Sequence, residues 1–162
     1  MPAPPLPEAR AIRPAVAADE PAIRACAERA YARYVPLIGR RPAPMDADVA
    51  GQIAAGEVHV ATDAAGALRG FVVFRDEGDH MLLENVAVLP EEAGRGTGGA
   101  LIRFCEETAR GRGFATVRLY TNARMTENLA LYPRLGYAEI GRRTEDGFDR
   151  VFFEKTLARR NP

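Results

Sequence analysis

A run of glycines placed between a hydrophobic strand and a helix constrains this chain more than any other feature. Glu84 to Ile102 reads ENVAVLPEEAGRGTGGALI. Leu82, Leu83, Val86, Val88 and Leu89 form an aliphatic, β-branched run of strand length. Pro90 ends it, because proline cannot donate to a sheet ladder. Gly94, Gly96, Gly98 and Gly99 strip side chains from the backbone, and Ala100, Leu101, Ile102, Phe104 and Cys105 open a helical apolar pattern. A glycine-rich turn entering a helix presents N–H groups and the positive end of the helix dipole. That is an anion site, best suited to phosphate.

A plain turn needs only one or two glycines. Gly94, Gly96 and Gly99 formally match G-x-G-x-x-G, but the dinucleotide fingerprint starts directly after its strand and wants an acid further on. Here five residues separate Val88 from Gly94, and Tyr120 to Asn122 supply no acid. No Lys-Ser or Lys-Thr pair follows the glycines, so the P-loop pattern fails too. VAVLPEEAGRGTGGALI instead resembles the acetyl-CoA-binding segment of the GNAT superfamily of N-acetyltransferases, V-x-P followed by Q/R-x-x-G-x-G/A. Counted from Pro90, the glutamine or arginine position falls on Ala93 and the two later positions on Gly96 and Gly98. A shifted register, Arg95, Gly98 and Ala100, also satisfies the pattern.

A second segment, Thr121 to Tyr137, reads TNARMTENLALYPRLGY. Thr126 is a candidate N-cap for a short helix, and Pro133 is expected to end it by pushing Tyr132 from helical angles. The segment is similar to the same family's asparagine followed by L-Y-x-x-x-G-F, matched at Leu131, Tyr132, Gly136 and Tyr137, with tyrosine in the final position. Asn128 is favoured over Asn122 as the asparagine.

The rest of the chain is ordinary for a globular protein. At 162 residues, 47% hydrophobic and 27% charged, it is one domain's worth of sequence. Residues 1–9 read as a disordered proline-rich tail, 10–157 as a single domain and 158–162 as a tail. A formal net charge of +0 points to neither nucleic acid nor a membrane surface. Lys155 is the only lysine. Cys26 and Cys105 lie in apolar helical patterns and read as buried thiols. His59 and His80 have no partner at ligand spacing, so no metal is expected. Asp19 is a candidate N-cap with Pro21 behind it, Val35 to Met45 (VPLIGRRPAPM) reads as stiff and non-helical, and Asp46 to Ala55 as a short helix. Glu84 interrupts an apolar strand, where a carboxylate costs free energy unless it is paired or used; Asn85 is expected on the opposite face, capping a loop.

The order of strands and helices suits an α/β (α+β) fold. A cytoplasmic protein, monomer or homodimer, is expected. The resemblance implies a GNAT-like mixed, largely antiparallel sheet of about six to seven strands flanked by helices. It implies acetyl-CoA as co-substrate and direct acetyl transfer to the primary amine of a small molecule or peptide. Glu84 becomes the candidate base and Tyr132 the candidate acid. Val86, Ala87, Val88, Ala93, Gly94, Arg95, Gly96, Thr97, Gly98, Gly99 and Asn128 become the candidate cofactor contacts. The resemblance also places the segment after the first helix beside the acceptor, with Tyr31, Arg40 and Arg41 as candidate substrate contacts; core packing for Tyr31 and a solvated loop for the arginines are the alternatives. A non-catalytic acetyl-CoA-binding or interaction domain is the rival reading, and a dinucleotide oxidoreductase a third.

Overall fold

A computed structural model describes residues 11–158. The expected tail over residues 1–9, and all of 158–162 except Ala158, lie outside the described residues. Seven strands, β1 (Ala11–Pro14), β2 (Val58–Thr62), β3 (Leu68–Asp76), β4 (Met81–Val88), β5 (Thr116–Asn122), β6 (Ala138–Glu145) and β7 (Phe148–Thr156), form one sheet in the order β1-β2-β3-β4-β5-β7-β6. Every neighbouring pair is antiparallel except β4–β5. This is the mixed, mostly antiparallel sheet expected.

Both faces are covered at the centre. The helix α4 (Thr97–Gly111) packs on one face, burying Leu101, Ile102, Cys105 and Ala109 against Val72, Phe74, Leu83 and Leu119. On the other face α1 (Glu20–Tyr31) sets Ile23, Cys26, Ala27 and Tyr31 against Val58, Val60, Phe71 and Val73. Each large aliphatic or phenyl group so buried contributes about 1.5–3 kcal/mol. Cys26 and Cys105 are free thiols in separate cores, and burial pushes each up to about 12. Beneath the far end of α4, the Glu106 carboxylate is buried and accepts Tyr137 Oη at 2.9 Å and Lys155 Nζ at 3.0 Å. Among the described residues no helix is long and apolar enough to cross a membrane.

Several local expectations are corrected. The Asp19 side chain does not cap α1; it turns back to accept the Val16 N–H and pairs with Arg13. Val35–Met45 is not free of helix: Val35–Ile38 forms the short α2, closed by Gly39 at φ 86°, and Ala43–Asp46 is a 3-10 turn. Pro36 and Pro44 sit in first turns, where the missing N–H costs nothing. The helix expected from Asp46 begins later, as α3 (Val49–Ala54), capped by the Asp48 carboxylate on the Gly51 N–H. Thr126 is the first residue of α5 (Thr126–Arg134) and not its side-chain cap. Pro133 lies inside α5, and Tyr132 is helical. The bias before proline is outweighed here by ring packing of Tyr132 on Tyr137 and Phe153.

Candidate active site

The site begins where two strands part. The parallel pairing of β4 with β5 lasts only from Met81–Val117 to Leu83–Leu119, after which β5 pairs with β7 alone. From Glu84 onward one side of β4 is therefore open. At the same place β4 bulges: Leu83 opposes Phe74 and Asn85 opposes Val73, leaving Glu84 without a partner on β3. The extra residue changes the phase of the strand. Leu83 and Val86 pack with the α4 core, whereas Asn85 and Ala87 turn to the α1 side. Asn85 does not cap a loop; its side chain is buried and its Oδ1 accepts the Tyr31 hydroxyl.

The register also fixes where the amides point. Leu89 N–H bonds Arg69 O at 3.0 Å, so by antiparallel alternation Ala87 faces its β3 partner Phe71 while Val86 and Val88 face the open side. Tyr31 Oη, 3.2 Å from Val86 O, reaches that carbonyl on its open side. Of the candidate backbone contacts on β4, Val86 and Val88 turn their peptide groups to the open side; the peptide groups of Ala87 are committed to the sheet.

At the end of β4 the chain turns through Pro90–Glu92 into the glycine loop. Ala93 N–H bonds Pro90 O at 3.2 Å and Arg95 N–H bonds Glu92 O at 3.1 Å, so these two amides are used within the loop. The N–H groups of Gly94, Gly96, Thr97, Gly98 and Gly99 make no backbone hydrogen bond among the described residues. Gly94 and Gly96 have φ of 79° and 84°, a conformation that favours glycine. Below the loop the buried Glu92 carboxylate accepts Thr97 Oγ1 at 2.9 Å and ties the turn to the first residue of α4. The result is a cluster of donors at the positive end of a fifteen-residue helix.

A cavity of about 540 Å³ extends from Gly98 and Gly99 along β4, between β4 and β5, to the face beside α1. Tyr132 lines it, with a buried ring and a hydroxyl that bonds no described residue. Burial, with a smaller effect of Tyr34, pushes that hydroxyl up to about 12. Asn128 lines the cavity too, its amide held by Thr121 Oγ1 at 3.0 Å. Glu84 also lines the cavity, and its Oε1 accepts Tyr120 Oη at 3.2 Å. Arg75 Nη2 lies 3.1 Å from Glu84 Oε2 but off the line of a hydrogen bond, so this oxygen is ion-paired with its lone pairs unfilled. Tyr120 is raised by burial and by the Glu84 charge.

The structure thus brings together Glu84, Tyr132, Tyr31, Asn128, the open edge of β4 and the glycine loop. It does not bring Arg40 and Arg41 to the cavity wall. Arg41 is bound by Glu28 and Asp46, and Arg40 stacks 4.0 Å over the Phe148 ring and donates to Asp146 O at 3.1 Å. Sequence reasoning missed Tyr120, Phe148 and Arg150, which all line the cavity. Their signal was the two-residue alternation of β7, which sets Phe148, Arg150 and Phe152 on the face shared with Tyr120. Among the described residues no group of three or more His, Cys, Asp or Glu side chains could hold a metal ion.

Comparison with known proteins agrees with this geometry. A 37-residue stretch is 46% identical to histidine N-acetyltransferase of Oreochromis niloticus, covering 23% of this chain and 11% of that protein. The structure superposes on nourseothricin acetyltransferase with a TM-score of 0.58 at 28% identity, over 62% of this chain and 65% of the other. It superposes on the PaiA N-acetyltransferase of Thermoplasma acidophilum, solved with coenzyme A, with a TM-score of 0.76 over 92% and 99% of the two chains; at 17% identity that likeness is one of fold. The chain therefore spans under two thirds of the first two proteins. The family model described as acetyltransferase (GNAT) domain matches residues 54–139, from the end of α3 through the open edge of β4, the glycine loop and α5 to the start of β6, and by that match the chain belongs to the GNAT acetyltransferase family.

Proposed function

We propose that residues 10–157 act as one catalytic domain that transfers an acetyl group from acetyl-CoA directly to a primary amine. The observation that carries this reading is that Tyr132, whose hydroxyl bonds no described residue, lines the same cavity as the open edge of β4. The amides of Gly94, Gly96, Thr97, Gly98 and Gly99 would take the pyrophosphate, and Ala93 and Arg95 would shape the loop around it. Val86 and Val88 would pair with the pantetheine as with an added strand and polarise the thioester carbonyl. Asn128 would contact the same arm.

In the transfer the amine nitrogen bonds the acetyl carbon while the carbon–sulfur bond breaks. Glu84 takes the proton lost by nitrogen, directly or through water. Tyr132 gives its proton to the departing sulfur. A Glu84→Gln enzyme with an unaltered pH–rate profile would remove the base from this scheme.

Thermal unfolding with and without saturating acetyl-CoA, with NAD as control, tests the first half. Ligand at one hundred times its dissociation constant adds about 2.7 kcal/mol, roughly 5–10 °C for a domain of this size. Release of free CoA with an amine panel tests the second half and separates catalysis from a binding-only domain. No shift with acetyl-CoA would withdraw the cofactor and the catalytic roles together.

A further inference from the structure

The cavity wall carries a cation that the proposed transfer leaves unused. Arg33 and Arg150 are the arginines that line the cavity. Arg33 is largely solvated and paired with Glu127. The Arg150 side chain is only 11% exposed. Its guanidinium lies 4.4 Å from the centre of the Tyr120 ring and 5.7 Å from that of Phe148, so two aromatic faces fix its position. Nη1 donates to Glu145 Oε2 at 2.9 Å, and the other N–H donors bond no described residue. Glu145 is also the partner of Arg143, so the two guanidiniums hold one positive charge more than their shared carboxylate cancels.

A second donor stands beside it. Asn122 opposes Arg150 across the β5–β7 ladder and lines the same cavity. Its Oδ1 is taken by the Arg124 N–H at 2.9 Å, and its Nδ2 bonds no described residue. The guanidinium donors that Glu145 does not take are free to meet an anion in the cavity, and their planar fork suits a carboxylate. Tyr120 then sets the scale: Arg150 lies over its ring and Glu84 holds its hydroxyl. The group that would take the amine proton and the group that would take the carboxylate are therefore about one tyrosine side chain apart.

We infer that Arg150, with Asn122, binds a carboxylate of the acceptor, and that the amine acetylated is the α-amine of a free amino acid. This rests on the acetyltransferase reading above. A peptide N-terminus places no carboxylate next to its amine and is not accommodated by the same spacing.

The test is CoA release with the standard α-amino acids, each beside its carboxamide and its decarboxylated amine, in wild type and in Arg150→Gln and Arg150→Lys. For the best amino acid the wild type should favour the acid over the carboxamide and the amine by roughly tenfold to a hundredfold in kcat/KM. Arg150→Gln should raise KM for the acid by a similar factor, leave kcat within about threefold, and leave the decarboxylated amine unaffected; Arg150→Lys, which keeps the charge and loses the fork, should fall between. Equal use of acid, carboxamide and amine by the wild type overturns the proposal without any variant. So does Arg150→Gln lowering kcat/KM for acid and amine alike while retaining the acetyl-CoA thermal shift. Absence of that shift in the wild type overturns the acetyltransferase reading itself, and the Arg150 assignment with it.

Discussion

Tyr132→Phe separates catalysis from folding in this site. The substitution removes one oxygen that bonds nothing among the described residues. The ring keeps its edge-on contact with Tyr137 at 5.7 Å and its contact with Phe153 at 5.8 Å. Stability should therefore stay within about 0.5 kcal/mol of wild type. If the hydroxyl protonates the departing sulfur, its loss should lower kcat by about 10²–10⁴, the ordinary worth of a positioned general acid. A hundredfold loss corresponds to about 2.7 kcal/mol of barrier. The phenol must be protonated to act, and burial holds it protonated up to about 12. An ordinary phenol would lose its proton near pH 10. The wild-type rate should thus show no descending limb from Tyr132 between about pH 9 and about pH 11. CoA release by a thiol reagent and thermal unfolding of both proteins give the two numbers. An unchanged kcat, or an alkaline limb near pH 10 that vanishes in the variant, would refute the reasoning.

Three further outcomes are expected. Tyr31→Phe leaves the buried Asn85 Oδ1 without its donor, and denaturant titration should show a loss of about 1–3 kcal/mol. Gly147→Ala places a Cβ 2.6 Å from Arg40 Nη1 at a residue with φ of 79°; it should cost about 1 kcal/mol, and an Arg40→Ala background should relieve the clash but not the backbone strain. His59, stacked 5.2 Å from Phe74 with Nδ1 unpaired, is lowered by burial and then by Arg112. The unfolded chain takes that proton near pH 6.5 and the folded protein only at lower pH, so this contribution is full above about pH 6.5 and lost as pH falls. A His59→Phe variant should flatten the dependence of melting temperature on pH between about pH 5 and about pH 7.

What was legible in the sequence followed from local chemistry. Hydrophobic runs bounded by glycine and proline mark β4, α4 and β5, and the glycine loop announces its amides because glycines leave backbone exposed. The bulge at Glu84 was not legible, since a strand buried on both faces has no alternation to break at the extra residue. The parting of β4 from β5 is a long-range event with no local signature. Arg40 and Arg41 looked like anion binders because arginine in a proline-rich loop carries no mark of its partner; Glu28, Asp46 and Phe148 come from elsewhere in the chain. Arg150 went unread for the converse reason. In a strand flanked by aromatics it looks like a surface cation, and only the fold stacks Tyr120 and Phe148 against it.

The Glu106–Tyr137–Lys155 network bears on how this chain would react with a thioester. Thioesters such as acetyl-CoA slowly acylate unprotected amines in solution, and an enzyme that concentrates one exposes its own surface to it. This chain has a single lysine, and that ammonium is held against a buried carboxylate beneath α4. Its other basic side chains, the two histidines aside, are guanidiniums, which stay charged and are poor nucleophiles. Side-chain acylation at lysine is thereby confined to one ammonium, and that one is ion-paired with Glu106.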